Sequence, residues 1–114
     1  MLRRSNCPIS CTLDLIGDKW TLVVMRDMLF LKKSRFEEFL DSPEKISTNI
    51  LTDRLHKLEA AGLVVKEPYS NHRLRMAYTA TEKGKSLIPL LKHMVEWGLA
   101  NIEETSAKPP SKSD

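Results

Sequence analysis

ISTNILTDRLHKLEAAGLV, residues 46–64, predicts a helix that is followed directly by a β-strand. Three leucines recur at spacings of four and three residues, which places them on one face of a helix. They are Leu51, Leu55 and Leu58. Ser47 can cap the first turn, and Gly62 stands where a helix end favours a residue in the left-handed conformation. We therefore predict a helix over residues 47–61 that its leucines anchor to a core.

A second, shorter helix is predicted just before it. Ser34 and Glu37 have the spacing of a capping box, and Pro43 marks the end of the segment. The apolar face between them consists of Phe36, Phe39 and Leu40. Two helices joined by a short turn over residues 34–61 predict a helix-turn-helix.

After Gly62 the pattern becomes that of β-structure. We predict a first strand over residues 63–65, closed by Pro68, and a second strand over residues 74–79. The segment from Lys66 to Arg75 carries three positive residues and one negative residue. A basic hairpin over residues 63–79 is typical of a wing beside a recognition helix, although an ordinary polar loop has the same composition.

The two ends of the chain carry most of the remaining apolar residues. Residues 12–31, interrupted at Gly17, predict a short helix, a turn and a buried helix. A long helix over residues 81–102, which Thr81 can cap, carries two apolar stripes, and Pro89 inside it should bend the axis. Residues 105–114 are predicted to be disordered. The whole order predicts a mainly α fold with a small β-hairpin, a winged helix-turn-helix domain.

The polar face of the helix over residues 47–61 suits DNA. Asn can bond adenine, Thr can contact thymine, Arg and Lys can hold guanine or phosphate, and a helix N-terminus favours a phosphate. The candidates on this helix are Ser47, Thr48, Asn49, Thr52, Asp53, Arg54, His56 and Lys57. The candidates outside it are Arg35 and the wing residues Asn71, His72, Arg73 and Arg75. A solvated helix face is the alternative, and Asp53 counts against DNA unless it accepts from a cytosine amino group.

Composition narrows the classes of function. The 114 residues suffice for one domain, and a net charge of +3 favours a polyanionic partner only mildly. Since no apolar run approaches the roughly 18 residues of a membrane span and the N-terminus lacks a signal peptide, we expect a cytoplasmic protein without a membrane partner. We expect no cofactor and no enzyme, because the sequence lacks paired carboxylates, a phosphate-binding glycine loop and an activated nucleophile.

Ordered motifs along the chain resemble one known family. They are Cys7 with Pro8, LDLIGDKW at 13–20, RDMLF at 26–30, RFEEF at 35–39 and the stretch at 46–64. Together they are similar to the HxlR-type transcriptional regulators. The resemblance implies a domain over residues 7–104 that acts on a pseudo-palindromic operator as a homodimeric repressor or activator. It also implies a dimer interface formed by the N-terminal segment and the last helix. The sequence departs from the family at Lys32 and Lys33, in a region where glycine is usual.

Cys7 is the candidate sensor residue. In some similar proteins the matching cysteine senses oxidants or electrophiles, and a thiol that precedes a helix near Arg3 and Arg4 can react readily as the thiolate. The alternative is that Cys7 packs at the dimer interface. Cys11 is either the resolving thiol of the sensor or a buried small residue. A small-molecule or oxidant effector is left open. No metal is expected, because the two cysteines and the distant histidines lack the spacing of a four-ligand zinc site.

The alternative function is a winged-helix module that binds proteins without DNA. The low net charge and Asp53 are compatible with it. The discriminating feature is whether the face of Asn49, Thr52 and His56 joins the wing in one positive surface.

Overall fold

The computed structural model, which describes residues 3–69 and 75–107, has the element order of a winged helix-turn-helix. The helices are α1 (Pro8–Ile16), α2 (Thr21–Leu29), α3 (Phe36–Leu40), α4 (Thr48–Ala60), α5 (Glu82–Lys85) and α6 (Ile88–Asn101). The strands β1 (Val64–Pro68) and β2 (Met76–Ala80) pair in antiparallel fashion. The predicted fold class, mainly α with a small β-hairpin, is confirmed.

One apolar core lies beneath the helix-turn-helix, and α2 and α4 supply much of it. Its buried members are Ile16, Val24, Met25, Met28, Leu29, Phe39, Ile46, Leu51, Leu55, Leu58, Leu63, Val64 and Leu91. Each side chain of this size stabilises the fold by roughly 1.5–3 kcal/mol when it is fully buried. The core therefore fixes α4 along its apolar side and leaves its other side to solvent.

The end of α4 is set by Gly62, as the sequence predicts. Gly62 has a φ of 78°, and its N–H donates to the Glu59 carbonyl at 3.1 Å. The next N–H, of Leu63, donates to the Leu58 carbonyl at 3.0 Å. This pair of bonds satisfies carbonyls that a helix end leaves free, and it turns the chain directly into β1.

The first strand of the hairpin is longer than predicted. Its register runs from Val64 opposite Ala80 to Pro68 opposite Met76, so Pro68 lies within β1. A proline is tolerated at a strand end because it lacks only a donor. On the other side of β2, the Tyr78 N–H donates to the Ser34 carbonyl at 2.7 Å, which ties the hairpin to the residues before α3.

The capping box of α3 is shifted by one residue from the prediction. The side chain of Glu38, not Glu37, accepts from the backbone N–H of Ser34 at 3.0 Å and of Arg35 at 2.9 Å. Arg35 precedes the helix in an extended conformation, with ψ at 149°. The bridge between Arg35 and Ala77 of β2 goes with the extended conformation of Arg35, so the helix starts at Phe36.

The single helix predicted over residues 81–102 is wrong, because the structure divides it into α5 and α6. Thr81 caps α5 as expected, accepting from the Gly84 N–H at 3.1 Å. The chain then turns at Ser86 and Leu87, and Pro89 lies in the first turn of α6. A proline fits there because the first N–H groups of a helix have no partner within it. Pro89 therefore begins a helix rather than bending one.

The ends of the described chain are tied to neighbouring helices. Arg4 donates from Nε to Asp14 at 2.9 Å, and α1 begins at Pro8, earlier than the predicted start near Thr12. Of the tail predicted to be disordered, residues 108–114 lie outside the described residues. The Thr105 hydroxyl donates to the Ile102 carbonyl at 2.9 Å, so the described start of this tail is held against the end of α6.

Candidate nucleic-acid interface

The face of α4 opposite the core is exposed along its whole length. Leu51, Leu55 and Leu58 are only 0%, 1% and 2% exposed, which fixes the helix in rotation. The side chains on the solvent side, all exposed, are Thr48, Asn49, Thr52, Asp53, His56 and Lys57. Donors, acceptors and a methyl group thus share a rigid helix face, which is the chemistry that reads base edges in a major groove.

Ser47 starts this helix and is not free to read bases. Its hydroxyl oxygen accepts from the Ile50 N–H at 3.2 Å, so the predicted cap is confirmed. A serine cap of this kind stabilises a helix by about 1 kcal/mol. Ser47 remains exposed at the N-terminus of α4, where a phosphate is also favoured.

Asp53 is surrounded by two cations of its own helix. Lys57 Nζ lies 3.3 Å from an Asp53 carboxylate oxygen, and the Arg54 guanidinium donates to the same oxygen. These contacts, that of Lys57 first, lower the pKa of Asp53. The negative charge on the DNA-facing side is therefore compensated locally, which weakens the objection that phosphates would repel Asp53.

Arg54 lies in a different place from the one its predicted role needs. Its Nε donates to Asp18 at 2.9 Å, and its side chain is only 20% exposed. The contact joins α4 to the turn between α1 and α2, 36 residues earlier in the chain. A guanidinium engaged with Asp18 and Asp53 holds the helix in position, so its geometry does not favour direct reading of a base.

Asp18 is the residue that sequence reasoning missed. It accepts from the N–H groups of Trp20 at 2.8 Å and Thr21 at 3.0 Å, and from the Thr21 hydroxyl. Burial alone would raise the pKa of Asp18, but the hydrogen bonds from Thr21, Arg54 and Trp20 hold it well below its usual range. One carboxylate therefore caps the start of α2 and fastens the recognition helix.

A second ion-pair network fixes the turn of the helix-turn-helix. The Arg26 guanidinium donates to both oxygens of Glu44, at 2.6 and 2.9 Å, and also to Asp27 at 2.7 Å. Asp27 is 1% exposed, and Lys33 Nζ lies 3.6 Å from its other oxygen. The contact with Arg26 lowers the pKa of Glu44, and Glu44 raises that of Arg26. The turn before α4 is thus held to α2 by a forked, charge-assisted contact.

The wing supplies further cations beside α4. Lys66 of β1 and Arg75 are exposed, and the Arg75 carbonyl accepts from the Tyr69 N–H at 3.1 Å. Arg35 is exposed on the other side of β2. Of the predicted wing residues, Asn71, His72 and Arg73 lie outside the described residues.

Apolar side chains are exposed elsewhere, on the helices at the two ends of the chain. On α1 and its end they include Ile9, 72% exposed, and Leu13, 55% exposed. On α6 they include Met94 at 49% and Trp97 at 64%. Between α2 and α6 lies a groove of about 500 Å³ with mostly apolar walls. Exposed apolar side chains and an apolar groove of this kind are typical of surfaces that associate with another protein.

Cys7 is exposed at the N-cap position of α1, where its carbonyl accepts from the Cys11 N–H at 2.9 Å. The Cys11 thiol is half-buried and points to the Ser5 carbonyl at 3.3 Å. Arg4, one of the two predicted neighbours of Cys7, is paired with Asp14. The thiol of Cys7 is accessible, and both cysteines are free.

Residues 3–69 and 75–107 contain no cluster of metal-ligating side chains and no membrane-spanning helix. Nowhere in these ranges do three His, Cys, Asp or Glu side chains gather as metal ligands would. None of the helices there is both long and apolar enough to cross a bilayer.

Proteins with related sequences are named as HTH-type transcriptional regulators. YybR of Bacillus subtilis, an uncharacterised HTH-type transcriptional regulator, is 39% identical over 98 residues, which are 86% of this chain and 78% of that protein. An uncharacterised HTH-type transcriptional regulator of Methanothermobacter thermautotrophicus is 39% identical over 94 residues, 81% of this chain and 70% of that protein.

Solved structures agree with these sequence matches. The crystal structure of PA1607 superposes with a TM-score of 0.80 at 31% identity, over 98% of this chain and 79% of that chain. The redox regulator HypR in its reduced form superposes with a TM-score of 0.73 at 36% identity, over 85% of this chain and 95% of that chain. The model of the HxlR-like helix-turn-helix family matches residues 15–106. The resemblance of the sequence motifs is thereby confirmed, and the chain belongs to the HxlR-like helix-turn-helix family.

Proposed function

We propose that this protein is a cytoplasmic transcriptional regulator that binds duplex DNA as a homodimer and inserts α4 into the major groove at each half of a pseudo-palindromic operator. The observation that carries the proposal is the exposed polar face of α4 on a helix fixed by its cap, its leucines and Arg54. A reading helix must be held in this way, because base contacts depend on register. The names of the relatives, which are transcriptional regulators, support a role without catalysis.

We propose different roles in DNA binding for the different candidate residues. Three exposed side chains of α4 take no part in its cap, its apolar face or its ion pairs as described above, and we propose that they read base edges. They are Asn49, Thr52 and His56. Lys57 and the wing cation Lys66 are proposed to contact phosphates, which supplies affinity without sequence preference. Asp53 is proposed to accept from a cytosine amino group, since its charge is already compensated.

The homodimer is supported by the exposed apolar side chains of α1 and α6. Two reading helices must lie about 34–36 Å apart to enter successive major grooves, and a twofold dimer provides that spacing. Burying Leu13, Met94 and Trp97 against a second copy would remove apolar surface that is costly in water.

Thiol sensing through Cys7 is a further part of the proposal. Cys7 is exposed, and HypR, a redox regulator, is 36% identical to this chain. A covalent change at the start of α1 would act beside the proposed dimer surface. Cys11, half-buried and directed at the Ser5 carbonyl, is the matched control.

DNA binding is tested by fluorescence anisotropy on a labelled fragment of the promoter of its own gene, against a random duplex of equal length. We expect tight binding that weakens steeply with KCl and a preference of at least about a thousandfold for the promoter site. Equal affinity for both duplexes at moderate salt would show that the protein has no sequence-specific target there. Absence of binding to either would favour the protein-interaction module.

The dimer and the sensor are tested separately. Sedimentation should give the wild type a mass of two chains. The mass of Met94→Glu should fall toward that of one chain. Lys92→Glu, which changes an exposed charge on the same helix, should keep the mass of the wild type. Diamide with glutathione, which converts a single protein thiol and one glutathione thiol to a mixed disulfide, should change DNA binding of the wild type and of Cys11→Ser, but not of Cys7→Ser. A wild-type monomer at micromolar concentration would reject the dimer, and a diamide response that survives in Cys7→Ser would reject the sensor.

A further inference from the structure

An arginine and a tyrosine stack on each other at the base of the wing. The Arg35 guanidinium carbon lies 4.3 Å from the centre of the Tyr69 ring. Arg35 is exposed and Tyr69 is half-buried, so the ring forms the floor and the guanidinium the outer layer. Guanidinium groups stack on aromatic faces through cation–π attraction and planar contact.

Hydrogen bonds to the hairpin fix the backbones of both Arg35 and Tyr69, and so position the stacked pair. Arg35 forms a β-bridge with Ala77 of β2, and the neighbouring Ser34 carbonyl accepts from the Tyr78 N–H at 2.7 Å. Tyr69 directly follows β1, and its N–H donates to the Arg75 carbonyl at 3.1 Å. The Arg35 side chain therefore reaches across β2 to a ring that the far strand holds in place.

The stack borders a cavity of about 500 Å³ between α3 and the hairpin. Its lining residues are Phe36, Glu37, Tyr69, Arg75, Met76 and Tyr78. Arg75 adds a second guanidinium at this rim, and Glu37 is the one carboxylate among these lining residues. Arg35 and Arg75 therefore bring two positive residues to the same side of the wing base.

We propose that Tyr69 is a positioning residue of the DNA-binding surface, holding Arg35 so that its N–H edge meets a backbone phosphate of duplex DNA. The inference rests on the proposed function. The first helix of a helix-turn-helix crosses the DNA backbone, and Arg35 lies immediately before that helix. A stacked guanidinium keeps its N–H edge free and presents it with little loss of side-chain freedom on binding, which suits the forked recognition of phosphate.

The test measures the affinity for the promoter duplex and for a random duplex from 50 to 300 mM KCl. Arg35→Gln should lower the slope of log affinity against log salt by about 1.8, since each of the two subunits loses one phosphate contact worth about 0.9, and should weaken both duplexes alike. Tyr69→Leu should weaken both duplexes by about 5- to 30-fold, because each of the two subunits loses one exposed cation–π contact. Tyr69→Phe, which keeps the ring, should bind like the wild type. The double variant should bind no more weakly than Arg35→Gln.

A spectroscopic measurement on the free protein separates positioning from general stability. The Arg35 Nε–H resonance should be shifted upfield by the ring in the wild type and in Tyr69→Phe, and should return to an ordinary position in Tyr69→Leu. An unshifted wild-type resonance overturns the inference, as does a wild-type salt slope in Arg35→Gln. If the wild type binds duplex DNA, and Arg35→Gln and Tyr69→Leu bind it as tightly as the wild type does, this inference alone is overturned. A wild type that binds no duplex overturns the proposed function as well.

Discussion

The contact between Asp18 and Arg54 should couple the stability of α2 to that of the recognition helix. Four proteins test it: the wild type, Asp18→Asn, Arg54→Gln and the double variant. Asn can still accept from the N–H groups of Trp20 and Thr21, so the change at Asp18 removes the charge and leaves most of the cap. The cycle then isolates the interaction between the two side chains.

The expected coupling is about 1 kcal/mol. The side chains of Arg54 and Asp18 are 20% and 37% exposed, so solvent screens the pair, and exposed ion pairs contribute about 0.2–1 kcal/mol. The 2.9 Å charge-assisted hydrogen bond places this pair at the upper end of that range. An unfolding entropy of about 2.1 cal/mol/K per residue gives about 0.24 kcal/mol/K for 114 residues. Each single variant should therefore melt roughly 4 °C below the wild type.

Thermal and urea unfolding give the free energy of unfolding of each of the four proteins. All four are measured at one protein concentration, because the melting temperature of a dimer depends on concentration. The double variant should be hardly less stable than either single variant. Lys57→Gln, at a side chain that is 72% exposed, is the control and should change stability by less than about 0.5 kcal/mol. If the losses in the free energy of unfolding of the two single variants add up to that of the double variant to within about 0.3 kcal/mol, the reasoning is refuted, because the two side chains then act independently.

Three further predictions concern stability. Gly84→Ala should lower the free energy of unfolding in urea by about 1–3 kcal/mol, because a Cβ at this position would lie 2.1 Å from the Leu63 carbonyl oxygen. The control is the neighbouring Lys85→Ala, which should be nearly neutral. Lys32→Gly should stabilise by about 1 kcal/mol, because Lys32 has a φ of 59° that glycine adopts without strain; a loss of stability would contradict this. Acid should destabilise the wild type below about pH 4, since the depressed pKa of Asp18 makes the folded state bind fewer protons than the unfolded one. Asp18→Asn should show a shallower loss over the same range, and an equal loss would count against this assignment.

Local signals in the sequence predict the recognition helix well. Ser47, Gly62 and the leucine spacing act through bonds and contacts within one or two helical turns, so they can be read without knowing the fold. Helix α4 accordingly begins at Thr48 and ends at Ala60, within one residue of the prediction. The exposed polar face follows from the same periodicity.

The errors arise where distant parts of the chain meet. Arg54 looks like a base-reading residue on its own helix, but its partner Asp18 is 36 residues away, and no periodicity reveals that contact. The capping box of α3 is shifted by one residue where Arg35 bridges to Ala77 of β2. The last helix divides at the turn of Ser86 and Leu87, and the α5 segment before this turn lies close against the Leu63 carbonyl at Gly84. In each case a tertiary contact overrides a local preference.

Specificity at single base pairs tests most directly the claim that the exposed face of α4 reads DNA. The measurement compares the wild type with Asn49→Ala on promoter duplexes in which each base pair of the bound site is replaced in turn. We predict that Asn49→Ala loses about 1–3 kcal/mol of discrimination, roughly 5- to 150-fold, at one base pair in each half-site and keeps its preferences elsewhere. A uniform loss of affinity for all duplexes, or unchanged preference at every position, would contradict the account.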